Sequence, residues 1–502
     1  MPLTSAEQYL LELINRGRLD PLAEAERHDI DINAGLDAGQ IGSDPLQVLA
    51  HNDTLAEASE AHSIWMLGVN TFAHAGAGGS SAGERMTHAG YEFEGNWQWA
   101  ENLAWSGTTD IIDLDRAVSH HHQGLFLSAG HRANTFATDV REIGIAQVEG
   151  GYTLDGVHYN SSMLTENFAL SGTDVFVTGV AYTDSDDDDF YSIGEGQSGV
   201  TISVGQAQDT TANAGGYAVQ IAPQDAAVTV STNAGQIAIV QMDLTGGNGK
   251  LDVVTDTSGD MSLHVSVDTT LISGINDATL LGRGDLGLRG NGVGNALTGN
   301  AGDNVLTGLG GRDVLDGAAG DDVLGGGRGR DRLLGGDGDD VLRGGGARDV
   351  LRGQTGDDNL NGGRGNDRLF GGDGDDALNG GSGRDRLNGQ DGNDNMHAGR
   401  GRDVLHGGDG DDVINGGGGN DRLVGGHGAD TFVFTDGHDD IRDYDAFADN
   451  IEISAQLLGD NTLADLMRVD GNDIVISFAD GHSLTVDDYT DTAQLLENII
   501  IA

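Results

Sequence analysis

The stretch GGDGDDVLRGGGARDVLRG, residues 335–353, interleaves glycine with aspartate and arginine and places one leucine in every nine residues. The period holds far beyond it. Aligned on nine, the chain carries sixteen copies from Gly290 to Val433 without an insertion. The sixth position reads Asn295 and Asn304, then Asp313, Asp322, Asp331, Asp340, Asp349, Asp358, Asp367, Asp376, Asp385, Asp394, Asp403, Asp412, Asp421 and Asp430. Two residues after each stands an apolar side chain, from Leu297 through Met396 and Ile414 to Phe432. The consensus is GGxGxDxUx, with U apolar.

Each position has a physical reading. Glycine permits the positive-φ turns and leaves backbone carbonyls bare. Aspartate adds hard oxygens, so turns stacked about 4.8 Å apart can share a calcium ion between them. The xUx triplet is a short strand whose apolar residue faces inward, and two nonapeptides make one coil. The pattern predicts a parallel β-roll with calcium ligands at the sixth-position aspartates. One leucine per nine residues is a thin core, and stacked carboxylates repel until neutralised, so folding should be coupled to calcium binding. A disordered low-complexity tract is the alternative, and sixteen in-phase copies argue against it. Asn295 and Asn304 lack the carboxylate, while Val293, Ala347 and Ala398 replace glycines, so calcium is expected to be held least well at those coils.

The residue before the sixth position alternates as well: Arg312, Asp321, Arg330, Asp339, Arg348, Asp357, Asn366, Asp375, Arg384, Asn393, Arg402, Asp411, Asn420. Successive nonapeptides fall on opposite edges of the coil. One edge is therefore nearly an Asp–Asp ladder and the other an Arg–Asp ladder. A fixed cation beside each ligand is expected to weaken calcium on the arginine edge. Arginines that merely point into solvent would leave it unchanged.

These repeats resemble the repeats-in-toxin (hemolysin-type) calcium-binding family. The resemblance implies export through type I secretion machinery, with the chain unfolded in calcium-poor cytosol and folded outside. Composition agrees with that reading. Lys+Arg total 26 against 81 Asp+Glu, a formal charge of −55, which argues against nucleic acid and anionic membranes as partners. Cysteine is absent, so any metal site must use oxygen or histidine nitrogen. The N-terminus, MPLTSAEQYLLELINRGR, lacks a basic n-region and a continuous apolar run, and no apolar stretch is long enough for a transmembrane segment. An extracellular protein secreted without a cleaved N-terminal signal peptide is expected. Thr4 with Glu7 reads as a capping box opening a helix. Residues 434–502 look like the family's C-terminal secretion segment, with Ile474, Val475, Ile476, Phe478, Leu484 and Val486 forming a hairpin that turns at Asp480-Gly481.

Residues 173–275 alternate apolar and polar (Val175, Val177, Val180; Val200, Ile202, Val204; Val228, Val230) and read as a β-sandwich spacer, joined to the roll by a linker at 276–289. Within it, DSDDDDFYSIGE places Asp184, Asp186, Asp188 and Glu195 at positions 1, 3, 5 and 12 of an EF-hand-like calcium loop. Asp189 occupies the sixth position of that loop, where glycine is expected.

Residues 1–172 mix helical periodicity with strand-like runs, which suggests a layered α/β domain. His74, Glu101 and His131, brought together from distant loops, could hold zinc. The order of the motifs FAHAG, WAENLAW and LSAGHRAN resembles the CAP superfamily (cysteine-rich secretory proteins, antigen 5, pathogenesis-related proteins) in its bacterial form. The family's first His falls on His74, its Glu-Asn on Glu101-Asn102 and its Gly-His-Arg on Gly130-His131-Arg132. The resemblance implies an α-β-α sandwich with these side chains in a central cleft. The family's second acid has no clear match, and Glu142 of REIGIA is the substitute candidate. Of His120, His121 and His122, one is expected to line the cleft and two to face water. GSSAG at 79–83 fits G-x-S-x-G, but no strand precedes it, so a nucleophile elbow is not expected.

Two functions follow as expectations. One is a secreted calcium-binding protein whose β-roll carries a CAP-like domain that binds an extracellular ligand. The other is a zinc-assisted extracellular hydrolase of peptides or esters, with His74 and His131 on the metal and Glu101 as general base. No HExxH supports the second, and the long helices of a pore-forming toxin are not visible.

Overall fold

The computed structural model describes residues 2–478 and 481–502. Its contacts divide the chain into two units, Met1–Gly284 and Asp285–Ala502.

The first unit opens with α1 (Ser5–Leu19), whose capping box is the one the sequence announces: the Glu7 N–H donates to Thr4 Oγ1 at 3.2 Å and the Thr4 N–H to Glu7 Oε2 at 2.8 Å. After α2 (Pro21–Arg27) come β1 (Ala50–His51), α3 (Asp53–Val69), α4 (Ala82–Ala89), β2 (Gln98–Thr108), α5 (Leu114–Leu127), α6 (Ala129–Thr135), β3 (Glu142–Leu154) and β4 (Val157–Leu170). The four strands form one sheet in the order β1-β3-β4-β2, parallel between β1 and β3 and antiparallel elsewhere. Leu10 and Ile14 of α1 and Val118 and Leu125 of α5 bury against Ile143, Ile145, Leu164 and Phe168. Leu55 and Ala58 of α3 and Met86 of α4 form a separate cluster with Ala169. Helices thus cover both faces, an α-β-α sandwich. Gly144 is required for that packing, because a Cβ there would lie 2.1 Å from the Leu55 carbonyl carbon.

The strands that follow make two sheets. In one, β5 (Val175–Thr183) pairs antiparallel with Gly216–Ile221 and parallel with Gly249–Thr255. In the other, Thr201–Val204, Asp225–Thr232, Gly235–Asp243 and Thr269–Gly274 pair antiparallel. These strands pack back on the helices. Lys250, buried in this part, reaches Glu12 of α1 at 2.8 Å and also meets Asp252.

The second unit is a parallel β-solenoid. Strands Val305–Gly311, Val323–Gly329 and Val341–Gly346 stack in one sheet, and Val314–Ala319, Arg332–Asp337 and Val350–Thr355 in the other. Each residue faces its equivalent in the next coil: Leu306 meets Leu324, and Leu315 meets Leu333. The core is two columns of these apolar residues, fully buried from Leu288 to Phe432. The stacking continues beyond Val433, since Arg422–His427 pairs parallel with His438–Ile441 and Thr431–Phe434 with Asn450–Ile453. Ile474 pairs with Val486 and Ile476 with Leu484 in the expected hairpin, whose turn residue Asp480 lies outside the described residues.

Candidate functional site

The turns of the solenoid build two ranks of carboxylates. Asp313, Asp331, Asp349 and their successors lie along one edge; Asp322, Asp340, Asp358 and theirs lie along the other. All fourteen predicted aspartates are buried. In each rank a backbone N–H donates to Oδ1 of the aspartate one coil ahead, as from Asp340 to Asp358 at 2.8 Å and from Asp349 to Asp367 at 2.8 Å. Oδ2 of every one of them is buried with no hydrogen-bond partner among the described residues. A first-position glycine keeps that oxygen clear. A Cβ on Gly335 would lie 2.0 Å from Asp340 Oδ2, and one on Gly353 would lie 1.8 Å from Asp358 Oδ2. Rows of unpartnered hard oxygens in a cradle lined by bare backbone are a donor set that fits calcium. Burial pushes the Asp340 carboxyl up to about 6 and that of Asp358 to about 7.

The ranks extend further than the repeat does. The N–H of Asp421 donates to Asp439 Oδ1 at 3.0 Å, and that of Asp430 to Asp449 Oδ1 at 3.0 Å. Both added carboxylates are buried, but only Asp439 leaves its Oδ2 without a partner, since Asp449 Oδ2 accepts from the Asp445 N–H at 2.7 Å. Asp439 is hidden in the sequence because FTDG replaces GGxG before it. Asp449 is hidden by spacing, standing 19 residues from its partner where the repeat has 18. The only visible signal was an Asp followed two residues later by Ile441 or Ile451. At the other end, Asn295 and Asn304 head the ranks by donating their N–H groups to Asp313 and Asp322.

The acidic loop after β5 gathers ligand oxygens of Asp184, Asp186 and Asp188 within 4.8 Å of one another. Glu195 lies across the loop, accepting from the Ser185 and Ser192 N–H groups at 2.8 Å each. Asp189 takes the left-handed turn expected of glycine, at φ 55°.

In the first unit, strand alternation on β2 sends Glu101 and Asn102 to opposite sides. Asn102 is buried, facing Glu166 across β4 at 3.0 Å and holding the His131 carbonyl at 3.2 Å, which fixes the start of α6. Burial pushes the Glu166 carboxyl up to about 7. Arg132 anchors the same helix by donating to the carbonyls of Ile32 and Phe126, each at 2.7 Å. Glu101 faces the cleft and is almost fully buried. Its Oε1 accepts from His74 Nδ1 at 2.9 Å and its Oε2 accepts from Arg85, a residue the motifs did not single out. His131 borders the cleft, and burial together with His74 lowers its pKa. His62 is lowered by burial and by Arg85. Beyond His131 lies an open groove of about 440 Å³ lined by Phe72, Leu103, Trp105, Leu125 and Tyr152.

Zinc does not fit the predicted set. Both Glu101 oxygens are taken, one by a permanent cation that a divalent ion would have to displace. Among the described residues, donor groups close enough to share an ion are Glu24–His28–His122 and the acidic loop; the cleft trio is not one of them. Glu24 is itself bonded by Arg16 and Arg27. Glu142 does not join the cleft trio through any hydrogen bond: its carboxylate accepts from Tyr91 at 2.5 Å and Asn52 at 2.6 Å. The histidine run differs from expectation. His121 and His122 are both buried and only His120 is exposed, because neighbouring helical residues diverge to different partners: His121 Nε2 meets Ser162 at 2.9 Å and His122 Nε2 meets Glu24 at 3.0 Å. Ser81 of GSSAG is the N-cap of α4, accepting from the Glu84 N–H.

Comparison with known families finds a match in each unit. Residues 11–162 match the cysteine-rich secretory protein family, CAP. The solenoid matches the RTX calcium-binding nonapeptide repeat in overlapping windows from 289–324 to 406–441. The chain therefore joins a CAP domain to a calcium-binding RTX roll, although it has no cysteine. No curated protein matches it. Among solved structures, an extracellular protein containing a SCP domain from Bacillus anthracis is 21% identical over 31% of this chain and 39% of its own, at TM-score 0.18. The extracellular lipase LipA from Serratia marcescens is 17% identical over 46% of this chain and 45% of its own, at TM-score 0.19. The chain thus spans less than half the length of either.

Proposed function

We propose that this is a secreted, calcium-dependent protein whose RTX roll folds on calcium outside the cell and carries the CAP domain as a ligand-binding module. The observation that carries it is the pair of ranks of buried, unpartnered Oδ2 atoms. In the calcium-free chain they are a cost, since a buried charge without a partner is strongly unfavourable. Calcium, supplying charge to stacked carboxylates, turns that cost into folding free energy. Asp313 to Asp430 hold the ions, with Asp439 completing the last coil of its rank. Asp184, Asp186, Asp188 and Glu195 hold one more in the acidic loop. Export by type I secretion machinery fits a roll that stays unfolded where calcium is scarce. Calcium titration of the full chain by far-UV circular dichroism tests the reading: β-structure should rise with calcium and collapse on chelation.

The two ranks differ. Burial, helped by nearby carboxylates, raises both ranks alike, to about 6 at Asp340 and Asp367 and about 7 at Asp358 and Asp403, but only on the arginine edge does a cation, Arg348 beside Asp367 and Arg384 beside Asp403, offset part of that rise. The arginine-edge rank therefore takes calcium more weakly, and an Arg→Asn series there should tighten it.

For the CAP domain the binding reading is favoured over hydrolysis. Both Glu101 oxygens are engaged, by His74 and Arg85, which leaves neither open to a water, while the groove beside His131 is apolar and suits a lipid or an apolar peptide side chain. Full-length protein assayed on peptide and lipid-ester libraries with added zinc should show no turnover. Turnover abolished by chelation and by both His74→Ala and His131→Ala would reverse the assignment.

A further inference from the structure

In the turns of the roll arginine is confined to one edge, Arg343 and Arg352 standing at ninth positions in the strands. At the third, fifth and seventh repeat positions it occurs only in turns of the rank that runs from Asp313 to Asp439. The third position has Arg328, Arg364 and Arg400; the fifth has Arg312, Arg330, Arg348, Arg384 and Arg402; the seventh has Arg332, Arg368, Arg386 and Arg422. Turns of the other rank have no arginine at these positions and carry aspartate at the fifth, from Asp303 through Asp339 to Asp411 except at Asn393, and at the third, from Asp337 to Asp409 except at Thr355. Both rows are exposed.

Among the described residues the arginine row makes no ion pair. Among the described residues of this unit, the arginines in ion pairs are Arg442 and Arg468. A groove of about 530 Å³ runs along the edge, with Arg348, Arg384, Arg402 and Arg422 at its rim and the inner-rank carboxylates of Asp367, Asp385, Asp403 and Asp421 also lining it. At least one guanidinium from these positions stands in every coil from Asp313 to Asp421, stacked about 4.8 Å apart, and such a row selects carboxylates with a similar repeat, since the fork of each pairs with two oxygens. A carboxylate row of that kind is on the same molecule. On the opposite edge the N–H groups of Asp339, Asp357 and Asp375 donate to Oδ1 of Asp321, Asp339 and Asp357 at 2.9, 2.8 and 2.8 Å, which orders the side chains at that same spacing.

We propose that, in the calcium-loaded protein, the arginine edge of one copy docks on the aspartate edge of a second. The inference rests on the calcium-folded roll. Two different edges meet, so the contact is heterologous, and every added copy leaves one free edge of each sign. Calcium controls it through folding and charge. Without calcium the coils that align both edges are not folded, and copies carrying −55 each repel. Calcium in the ranks aligns the coils, neutralises the inner carboxylates and leaves the arginines to an outside partner.

The test is sedimentation velocity of the full chain over a range of protein concentrations, with circular dichroism confirming that each sample is folded. Wild type should associate in calcium at low salt and return to monomer at high salt. Arg348→Glu/Arg384→Glu/Arg402→Glu, with two acidic edges, should stay monomeric, as should Asp339→Arg/Asp357→Arg/Asp375→Arg, with two basic ones. Mixing the two variants should restore association. Folded wild type that is monomeric at every concentration in calcium overturns the proposal, as does a glutamate variant that associates like wild type. A monomeric wild type that is shifted only by an added acidic polysaccharide overturns it too, in favour of a soluble polyanion. Loss of the β-signal in calcium would instead locate the failure in the folding of the roll.

Discussion

The backbone N–H of Asp340 donates to Oδ1 of Asp358 at 2.8 Å, and Oδ2 of Asp358 is left buried without a partner. One oxygen of each carboxylate spaces the coils, and the other is free for an ion. The two tasks can be separated by substitution.

Asp358→Asn keeps an acceptor at Oδ1 but removes the charge. The calcium midpoint of folding should rise on the order of tenfold, as for loss of a supporting group at a metal site. Calcium titration by circular dichroism reads it. An unchanged midpoint would show that Asp358 holds no ion.

Proton competition follows from the raised carboxyls. Burial holds Asp349 and Asp376 at about 7 in the folded roll, against about 3.9 in an unfolded chain. A raised folded value means the folded state binds protons more tightly. The stabilisation from protonation is full below about pH 4 and is lost as pH rises through about 7. The calcium-free roll should therefore be more structured at pH 5 than at pH 8, while calcium affinity falls with acidity. Proton release on calcium addition near pH 6, followed with an indicator dye, checks both.

Glycine is needed at the first repeat position but not at the ninth. A Cβ at Gly353 would collide with Asp358 Oδ2, whereas one at Gly325 would meet nothing within 4 Å. Gly353→Ala should raise the calcium midpoint markedly. Gly325→Ala should leave it unchanged or lower it slightly, since alanine restricts the unfolded chain by about 0.4–1 kcal/mol. Ala398, which already stands at a first position, should mark a weak site beside Asp403, and Ala398→Gly should strengthen it.

In the cleft, Arg85→Met leaves Glu101 buried with His74 alone. Breaking a buried pair from one side costs about 3–5 kcal/mol. Urea unfolding followed by tryptophan fluorescence isolates the effect, because all four tryptophans, Trp65, Trp97, Trp99 and Trp105, lie in the first unit. His74→Ala should cost much less, its ring being 61% exposed. Equal losses would show that His74 carries the site.

What could be read early was local or periodic. The Thr4–Glu7 cap closes over three residues, and the hairpin through Ile476 and Leu484 obeys simple alternation. The cleft was read only in part. His74, Glu101 and His131 do converge, but the residue that sets the chemistry of Glu101 is Arg85, contributed by α4 and invisible to any motif. Glu142 carries the right chemistry for a cleft acid and is spent instead on Tyr91 and Asn52.

The sequence by itself determined the roll. Every coil repeats the same contacts with the residue 18 positions away, so period, glycine placement and the inward leucine specify strand, turn and ligand together. Tertiary structure decided what depends on unrelated segments meeting. It placed a guanidinium on Glu101 and buried His121 and His122 against Ser162 and Glu24. In those places burial and charge come from residues remote in the chain, and no local pattern encodes which partner will be there.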